Sequence, residues 1–321
     1  MLLVYWTLIF NIIAFTLYGL DKSFAKKGRR RLSEKSLIFW AVIGGSIGAF
    51  LGMQIFRHKT KKPKFKIVPV FLVIHLVLYG FCLYQNYYLT VSEYDVDLGL
   101  DEDITIVQIS DLHNQFFGFD QKYLLDRIKA QDPDIIVITG DIVDMTHTNY
   151  SIAEDFVEGA VKIAPVYYVT GNHEEYLKGD KLNSFMDRMK ELGVIFLDDD
   201  KRDMGEYVLA GIADRSLKYF DSYEYFDDTK PVILLAHEPQ YWTVYLGHGA
   251  DLVLTGHYHG GQIILPGVGG LVSPEFEFLP KLYEGMHDMD GMTLILSRGL
   301  GNSVLPVRIN NYPEIVTVHV S

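Results

Sequence analysis

The sequence predicts an α/β domain that follows a helical membrane anchor, and three observations support this. The first ninety residues are basic and contain three long apolar stretches. From about residue 91, short apolar runs typical of buried strands alternate with helical patterns. These runs end in polar turns that contain Asp, Asn or His. We therefore divide the chain into an anchor, residues 1–90, and a folded domain, residues 91–321.

The charge differs sharply between these two parts. Residues 1–90 hold 13 Lys and Arg against Asp21 and Glu34, a balance of +11. Of the chain's 29 basic and 41 acidic residues, 16 and 39 remain for residues 91–321, a balance of −23. An acidic domain argues against nucleic acid as a partner. It is compatible with a phosphorylated substrate, because bound metal ions can supply local positive charge.

The chain has a single cysteine, Cys82, which lies in an apolar run. One cysteine excludes a disulfide within the chain and a zinc site built from several thiolates. The cysteine content therefore does not indicate whether residues 91–321 lie in a reducing or an oxidising compartment.

The three apolar stretches predict membrane segments. They are Leu2–Leu20, Leu37–Phe56 and Ile67–Tyr84. Each is close to the ~20 residues that a spanning helix needs, and none has a charged residue in its middle. Buried helices of a soluble domain would show a polar face instead. The first stretch lacks the basic start and the small-residue cleavage site of a secretory signal peptide.

The basic loops between these stretches decide the expected topology. Loop 21–36 carries seven Lys and Arg, and loop 57–66 carries six, so both favour the cytoplasm. We predict that the second stretch is re-entrant and broken near Gly44-Gly45, so that both loops stay inside. The third stretch then carries residues 91–321 out of the cytoplasm. The alternative is three true spans with one basic loop translocated, which leaves the side undecided.

Six strands and two intervening helices are predicted in the second part of the chain. The strands are Ile104–Ile109, Ile135–Thr139, Val166–Thr170, Val232–Ala236, Leu252–Thr255 and Met292–Ser297, and the helices are Gln121–Gln131 and Ile152–Ile163. Ligands bind at the carboxyl ends of strands in open α/β sheets. The polar residues that follow five of these strands are therefore candidate site residues.

These strand-end residues form a set of oxygen donors and imidazoles. They are Asp111, His113, Asp141, Asn172, His173, His237, His257 and His259. Such a set suits divalent Mn, Fe or Zn rather than Ca or Mg alone. Each motif alone also occurs as a capped turn or a core histidine. Five in order, each after a predicted strand, favour a site for two metal ions, with Asp141 as the natural shared ligand.

Both parts of the chain resemble known families. Residues 1–85 are similar to a small bacterial membrane domain of unknown function, through Asn11, Ala14-Phe15, Tyr18–Lys22, Arg31–Glu34, Gly44-Gly45, Gly48 and Arg57–Thr60. The motifs Asp-x-His, Gly-Asp, Gly-Asn-His-Glu and Gly-His-x-His resemble the calcineurin-like metallophosphoesterase superfamily over about residues 95–321. The motif Gly-His-x-His-Gly-Gly-Gln at Gly256–Gln262, together with Ser297–Gly301 and Pro313-Glu314, resembles the bacterial membrane-associated branch of this superfamily.

The second resemblance implies a fold and a division of roles. The fold is a metallophosphoesterase β-sandwich flanked by helices, with two divalent metal ions. One ion is held by Asp111, His113, Asp141 and His259, and the other by Asp141, Asn172, His237 and His257. His173 acts on the substrate. Glu174 stands where the wider superfamily usually has Asp, a change expected to reposition His173.

The function expected from this site is metal-dependent hydrolysis of a phosphodiester or phosphoanhydride at the membrane surface. The expected substrate is a phosphorylated small molecule or a lipid-linked one. The aromatic segments Leu217–Phe226 and Phe276–Tyr283 are candidate walls or headgroup contacts, with ordinary loop packing as the alternative. Two alternatives remain open. One is a non-catalytic, metal-bound interaction domain on a membrane anchor, and the other places the main function in residues 1–90.

Overall fold

The computed structural model describes residues 2–177, 179–217, 229–302 and 307–321, with the side chains of residues 2–6 left out. The chain forms two compact units, Met1–Tyr84 and Gln85–Ser321.

The first unit is helical. Its helices are α1 (Leu2–Lys26), α2 (Glu34–Trp40), α3 (Ser46–Ile55) and α4 (Ile67–Tyr87), and a π-helical turn, Ala41–Gly45, joins α2 to α3. Three segments are long and apolar enough to cross a membrane, namely Thr7–Lys26, Glu34–Ile55 and Pro63–Tyr87. The three apolar stretches predicted from the sequence are therefore helical, although the middle one is not a straight helix.

The middle segment folds back on itself as a helical hairpin. The backbone breaks at Gly44, whose φ of 130° lies outside the helical region. A straight helix of 22 residues would separate its ends by about 33 Å. Instead, Arg31 before α2 and His58 after α3 both contact the same carboxylate oxygen of Asp21, at 2.8 and 2.7 Å. The predicted break is present, and the two basic loops are in contact.

The tip of this hairpin is fixed to the middle of α1. The Asn11 side chain donates to Gly44 O at 3.1 Å and accepts from Gly48 N at 2.7 Å. A Cβ at Gly48 would lie 1.9 Å from Asn11 O, so only glycine allows the two helices to approach this closely. The tip thus lies beside Asn11, ten residues or about 15 Å along α1 from Asp21. That distance is about half of a ~30 Å hydrocarbon core.

The second unit contains two six-stranded sheets. Its strands are β1 (Thr90–Val96), β2 (Ile104–Ile109), β3 (Ile135–Thr139), β4 (Val166–Val169), β5 (Ile195–Phe196), β6 (Asp200–Asp203), β7 (Val208–Gly211), β8 (Val232–Leu235), β9 (Leu252–Thr255), β10 (Ile264–Leu265), β11 (Gly269–Gly270), β12 (Gly285–Met289), β13 (Met292–Leu296) and β14 (Glu314–Val320). The sheet orders are β1-β14-β2-β3-β4-β5 and β12-β13-β9-β8-β7-β6, and β10 pairs with β11 separately. Strands β2, β3 and β4 run parallel, as do β7, β8, β9 and β13.

The two sheets pack face to face, with helices on both outer faces. The inner core joins side chains of both sheets, such as Ile106 and Val137 with Ile233 and Leu254. The helices are α5 (Lys122–Lys129), α6 (Tyr150–Ala160), α7 (Asn172–Tyr176), α8 (Asp180–Leu192) and α9 (Trp242–Gly247). The outer cores lie between the first sheet and α5, α6 and α8, and between the second sheet and α9. This is the α/β sandwich flanked by helices that the resemblance implies.

The predicted strands and helices are present, with small differences at their ends. Three strands match residue for residue, and the others end one residue earlier, at Val169, Leu235 and Leu296. The helices predicted at 121–131 and 152–163 are Lys122–Lys129 and Tyr150–Ala160. Each shortened strand loses only its last residue, Thr170, Ala236 or Ser297, where the chain leaves the sheet for the following loop. Strands β1 and β14 were not predicted. They lie at opposite ends of the unit's sequence and pair in parallel.

Candidate metal centre

The predicted site residues follow strands of both sheets and meet at one edge of the sandwich. Asp111 and His113 follow β2, Asp141 follows β3, Asn172 and His173 begin α7 after β4, His237 follows β8, and His257 and His259 follow β9. Hydrogen bonds join the two sheets here: His257 N donates to Asp111, and the His237 ring lies 2.8 Å from Thr139 O. The structure therefore brings all eight residues together.

Their ligand atoms fall into three overlapping groups. The groups are Asp111, His113 and His259; His113, Asp141 and His173; and Asp141, His237 and His257, with ligand atoms within 4.8 Å of one another in each. All of these side chains are buried. The first and third groups correspond to the two metal positions that the resemblance implies.

Asp141 lies between those two positions. Its Oδ2 is 3.5 Å from His113 Nε2 and 3.2 Å from His237 Nε2. The side-chain oxygen of Asn172 lies 3.0 Å from the same His237 nitrogen. A carboxylate in this place can reach an ion on either side, as a shared ligand must.

His173 lies among the same residues, and a backbone contact holds its ring. Its Nδ1 accepts a hydrogen bond from Met145 N at 3.1 Å, and its Nε2 lies 3.9 Å from Asp141 Oδ2. Its ring centroid is 4.4 Å from that of His113. Since Nδ1 is engaged, Nε2 is the nitrogen that can act in the site.

The backbone at the site is strained. Five of the seven predicted ligands have positive φ, namely Asp111, His113, Asp141, His257 and His259. Non-glycine residues rarely adopt this conformation, and such strain concentrates at functional sites. Glycine makes the close approach possible: a Cβ at Gly256 would lie 2.4 Å from Asp111 Oδ2, and one at Gly171 would lie 2.3 Å from Asp141 Oδ1.

The electrostatics favour ionised carboxylates, while the ligand histidines differ from one another. Burial by itself would raise the pKa of Asp111 and Asp141, but the surrounding histidines hold the pKa of both carboxyls well below the usual range. Burial lowers the pKa of His259 well below its usual value. For His113 and His237, burial is outweighed by the neighbouring carboxylates Asp111 and Asp141, which raise the pKa, so metal binding there displaces a proton. Deprotonated carboxylates and neutral imidazoles are the forms that bind metal ions.

Unsatisfied nitrogens show that the site fits a cation. His113 Nδ1 and Nε2 and His259 Nδ1 are buried without a hydrogen-bond partner. Buried polar atoms of this kind are uncommon and call for a partner. Divalent ions that accept both nitrogen and oxygen ligands would satisfy the set.

Glu174 contacts the backbone of the loops that carry the ligands. Its carboxylate accepts hydrogen bonds from the backbone nitrogens of Asp141, Val143 and Gly171, and its effect on the position of His173 stays a prediction. Burial and the nearby Asp141 raise its pKa to about 7. Glu174 therefore orders the turn that carries Asp141, and His173 is held by Met145 N.

Two residues that sequence reasoning missed contact the site loops. Glu275 Oε1 lies 2.7 Å from His257 Nε2, while His257 Nδ1 lies 3.1 Å from His237 Nε2. Arg308 is fully buried and donates to the carbonyl oxygens of Arg298 and Gly301. Gly301 N in turn donates to Asp111 O, so Arg308 supports the turn that carries the first ligands.

One of the two predicted wall segments can be placed. Apart from Leu217, which is buried, the segment Leu217–Phe226 lies outside the described residues. In Phe276–Tyr283, the side chains of Phe276 and Phe278 are 89% and 69% exposed. They lie in the loop that carries Glu275, whose carboxylate contacts His257.

Comparisons with known proteins agree with both halves of this description. Residues 104–261 match the family model for calcineurin-like phosphoesterases, and residues 11–65 match a protein family of unknown function, DUF1294. An uncharacterized metallophosphoesterase of Aquifex aeolicus is 27% identical over 266 residues, 77% of this chain and 97% of the relative. One from Campylobacter jejuni is 31% identical over 252 residues, 71% of this chain and 62% of the relative.

A further relative matches the first unit. The uncharacterized protein YsdA of Bacillus subtilis is 40% identical over 79 residues, which are 24% of this chain and 89% of the relative. The first unit therefore resembles a protein that is little longer than the matched segment. On the fold, the site and these matches, the Gln85–Ser321 unit belongs to the calcineurin-like phosphoesterase superfamily.

Proposed function

We propose that this protein hydrolyses a phosphodiester or phosphoanhydride at a membrane surface, with a centre that binds two divalent metal ions. The observation that carries the proposal is the position of Asp141 between two buried groups of ligands, within 3.5 Å of a histidine from each. A site for one ion would not need a carboxylate so placed. When bound, two such ions supply charge stabilisation for an in-line displacement at phosphorus.

The side chains of the protein have separate tasks in this reaction. Asp111, Asp141 and the ligand histidines hold the ions, and Glu174 keeps the Asp141 turn in place through backbone hydrogen bonds. His173 Nε2 is the group that stabilises charge on the phosphoryl oxygens or gives a proton to the leaving oxygen. Its ring is already oriented by Met145 N.

The loops that carry the site also carry exposed apolar side chains. Phe116 and Phe119 follow His113 and are 46% and 85% exposed, and Tyr176 follows His173 and is 65% exposed. Phe276 and Phe278 follow Glu275. Exposed aromatic side chains beside a phosphoryl site favour a substrate with an apolar part, such as a lipid-linked phosphoester, over a free nucleotide.

A substrate screen with the full chain in detergent tests the proposal. We expect Mn²⁺- or Zn²⁺-dependent turnover of bis(p-nitrophenyl) phosphate or of a nucleotide–sugar anhydride, exceeding that of the monoester p-nitrophenyl phosphate. Asp141→Asn serves as the inactive comparison, with fewer bound ions by elemental analysis. Full metal loading without any hydrolysis would favour a non-catalytic interaction domain. Two bound ions and normal turnover in Asp141→Asn would refute the shared-ligand role.

The membrane-surface part has its own test. We expect Phe276→Ser combined with Phe278→Ser to reduce kcat/KM for a phosphodiester lipid in vesicles while leaving hydrolysis of the soluble diester unchanged. Met286→Ser is the matched control, because Met286 is 47% exposed on strand β12. Equal loss on both substrates would mean that the two aromatics support the metal centre and have no role in lipid contact.

A further inference from the structure

The hairpin of the first unit gathers the basic loops into one place. Asp21 is fully buried at its base and is contacted by Arg31, His58 and Lys59. Glu34 is contacted by Lys59 and Lys62. These contacts join the end of α1 to both ends of the hairpin. Cations that a three-span topology would divide between two membrane faces therefore lie together.

Most of the positive charge here is left uncompensated. Residues 1–90 contain only two acidic residues, Asp21 and Glu34, and both are already paired inside the unit. The exposed cations are Lys26, Lys27, Arg29, Arg30, Arg31, Lys35, Arg57, Lys61, Lys62, Lys64 and Lys66, which we call the basic collar. In the part of the chain that the structure describes, only Arg31 and Lys62 of this collar form ion pairs with a carboxylate.

We propose that the basic collar is a binding surface for the phosphate headgroups of anionic phospholipids. The chemistry it recognises is a phosphate with a single negative charge, offered by several neighbouring molecules at once. Cations beside apolar helix ends lie at the depth of lipid phosphates, where each Lys or Arg adds measurably to the attraction. The collar adjoins three segments apolar enough to cross a membrane, which favours lipid over a soluble anion.

The buried ion pairs around Asp21 explain why the two loops of the collar stay together. Lys59 has a side chain only 3% exposed, and its positive φ of 63° places it in a strained turn. His58, beside it, is held by Asp21. The strained turn and its buried ion pairs hold loop 57–66 against loop 21–36. The surface is therefore preorganised, and lipid binding does not require the loops to come together first.

Native mass spectrometry of the full chain in detergent tests this proposal. Phosphatidylglycerol is compared with phosphatidylcholine as the added lipid, and retained lipids are counted. We expect the chain to retain phosphatidylglycerol in preference. Lys61→Gln, Lys64→Gln and Lys66→Gln combined should weaken this binding by about a hundredfold, since each surface cation contributes about fivefold.

A matched variant controls for the loss of three charges. Lys129, Lys181 and Lys201 are exposed cations of the second unit, and their combined change to Gln should leave lipid retention unchanged. If the collar variant does not fold, a salt titration of the unaltered chain replaces it, because screening should release the bound phosphatidylglycerol.

Three outcomes would overturn the proposal. The first is equal retention of the two lipids by the unaltered chain. The second is the same loss in the collar variant and in the control variant or, where the salt titration replaces the collar variant, retention that salt does not change. The third is displacement of phosphatidylglycerol by an equal concentration of sodium phosphate, which would make the ligand a soluble phosphate instead of a lipid.

Discussion

His173 differs from the seven predicted ligands in how its ring is held. A backbone nitrogen, that of Met145, donates to its Nδ1. We expect His173→Ala to leave the metal content near normal and to reduce turnover by about 10²–10⁴, the range for a lost acid–base or charge-stabilising group. Elemental analysis with steady-state kinetics measures both. His147→Ala, a nearby exposed histidine, is the control. Loss of metal from His173→Ala would make this residue a ligand.

Glu275 is expected to act on the metal centre through His257. A carboxylate on the outer nitrogen of a ligand histidine fixes the ring and increases its basicity, and its loss weakens metal binding by about 10–100-fold. We expect Glu275→Gln to weaken one of two binding steps in a calorimetric Zn²⁺ titration. Glu277→Gln, two residues along the same loop, should bind as the unaltered chain does. Identical titrations for Glu275→Gln and the unaltered chain would show that the contact has no influence on the metal.

These residues show what sequence could and could not predict at the site. The candidate ligands were predictable because each follows a strand directly, and strand ends of a sandwich meet at one edge. Glu275 and Arg308 were not, because each is separated from its contact by a loop whose path depends on the packing of the whole unit. Glu174 was placed beside the right turn, but its backbone contacts depend on a carboxylate orientation that no motif specifies.

At the scale of elements, glycine determines how closely the hairpin packs on α1. A Cβ at Gly48 would lie 1.9 Å from Asn11 O, whereas a Cβ at Gly80 of α4 would meet nothing within 4 Å. We expect Gly48→Ala to lower the free energy of unfolding by at least the ~1–3 kcal/mol that an overpacked core costs. The melting temperature of the full chain in detergent should fall accordingly. Gly80→Ala should be neutral or slightly stabilising, since alanine favours helix. Equal melting temperatures for both variants would contradict the close packing of α3 on α1.

The elements were predicted best where the pattern is local. The strands that lead into the site were bounded to within one residue, because their apolar runs stop abruptly at polar turns. The hairpin was predicted from charge and a glycine pair, without knowledge of its contacts. Strand β1 was missed because its partner β14 lies more than two hundred residues away, and pairing over that distance leaves no periodic signal.

At the scale of the whole molecule, the hairpin supports one topology over the other. We expect both basic loops in the cytoplasm and the phosphoesterase unit outside. Protease added to intact protoplasts should remove that unit while a cytoplasmic marker survives. Protoplasts broken beforehand provide the control for cleavage in either compartment. A unit that is cut only after the membrane is broken would place the enzyme in the cytoplasm.

The fold of the hairpin also decides whether the number of membrane crossings is even or odd. A hairpin that enters the membrane and returns to the same side adds no crossing. If only α1 and α4 cross the membrane, the chain therefore crosses it an even number of times. Residue 2 and residue 321 then share one compartment. Reporters fused to either end should therefore give the same reading, and a reporter inserted at Lys61 should give the opposite one. An odd count would instead separate the two ends.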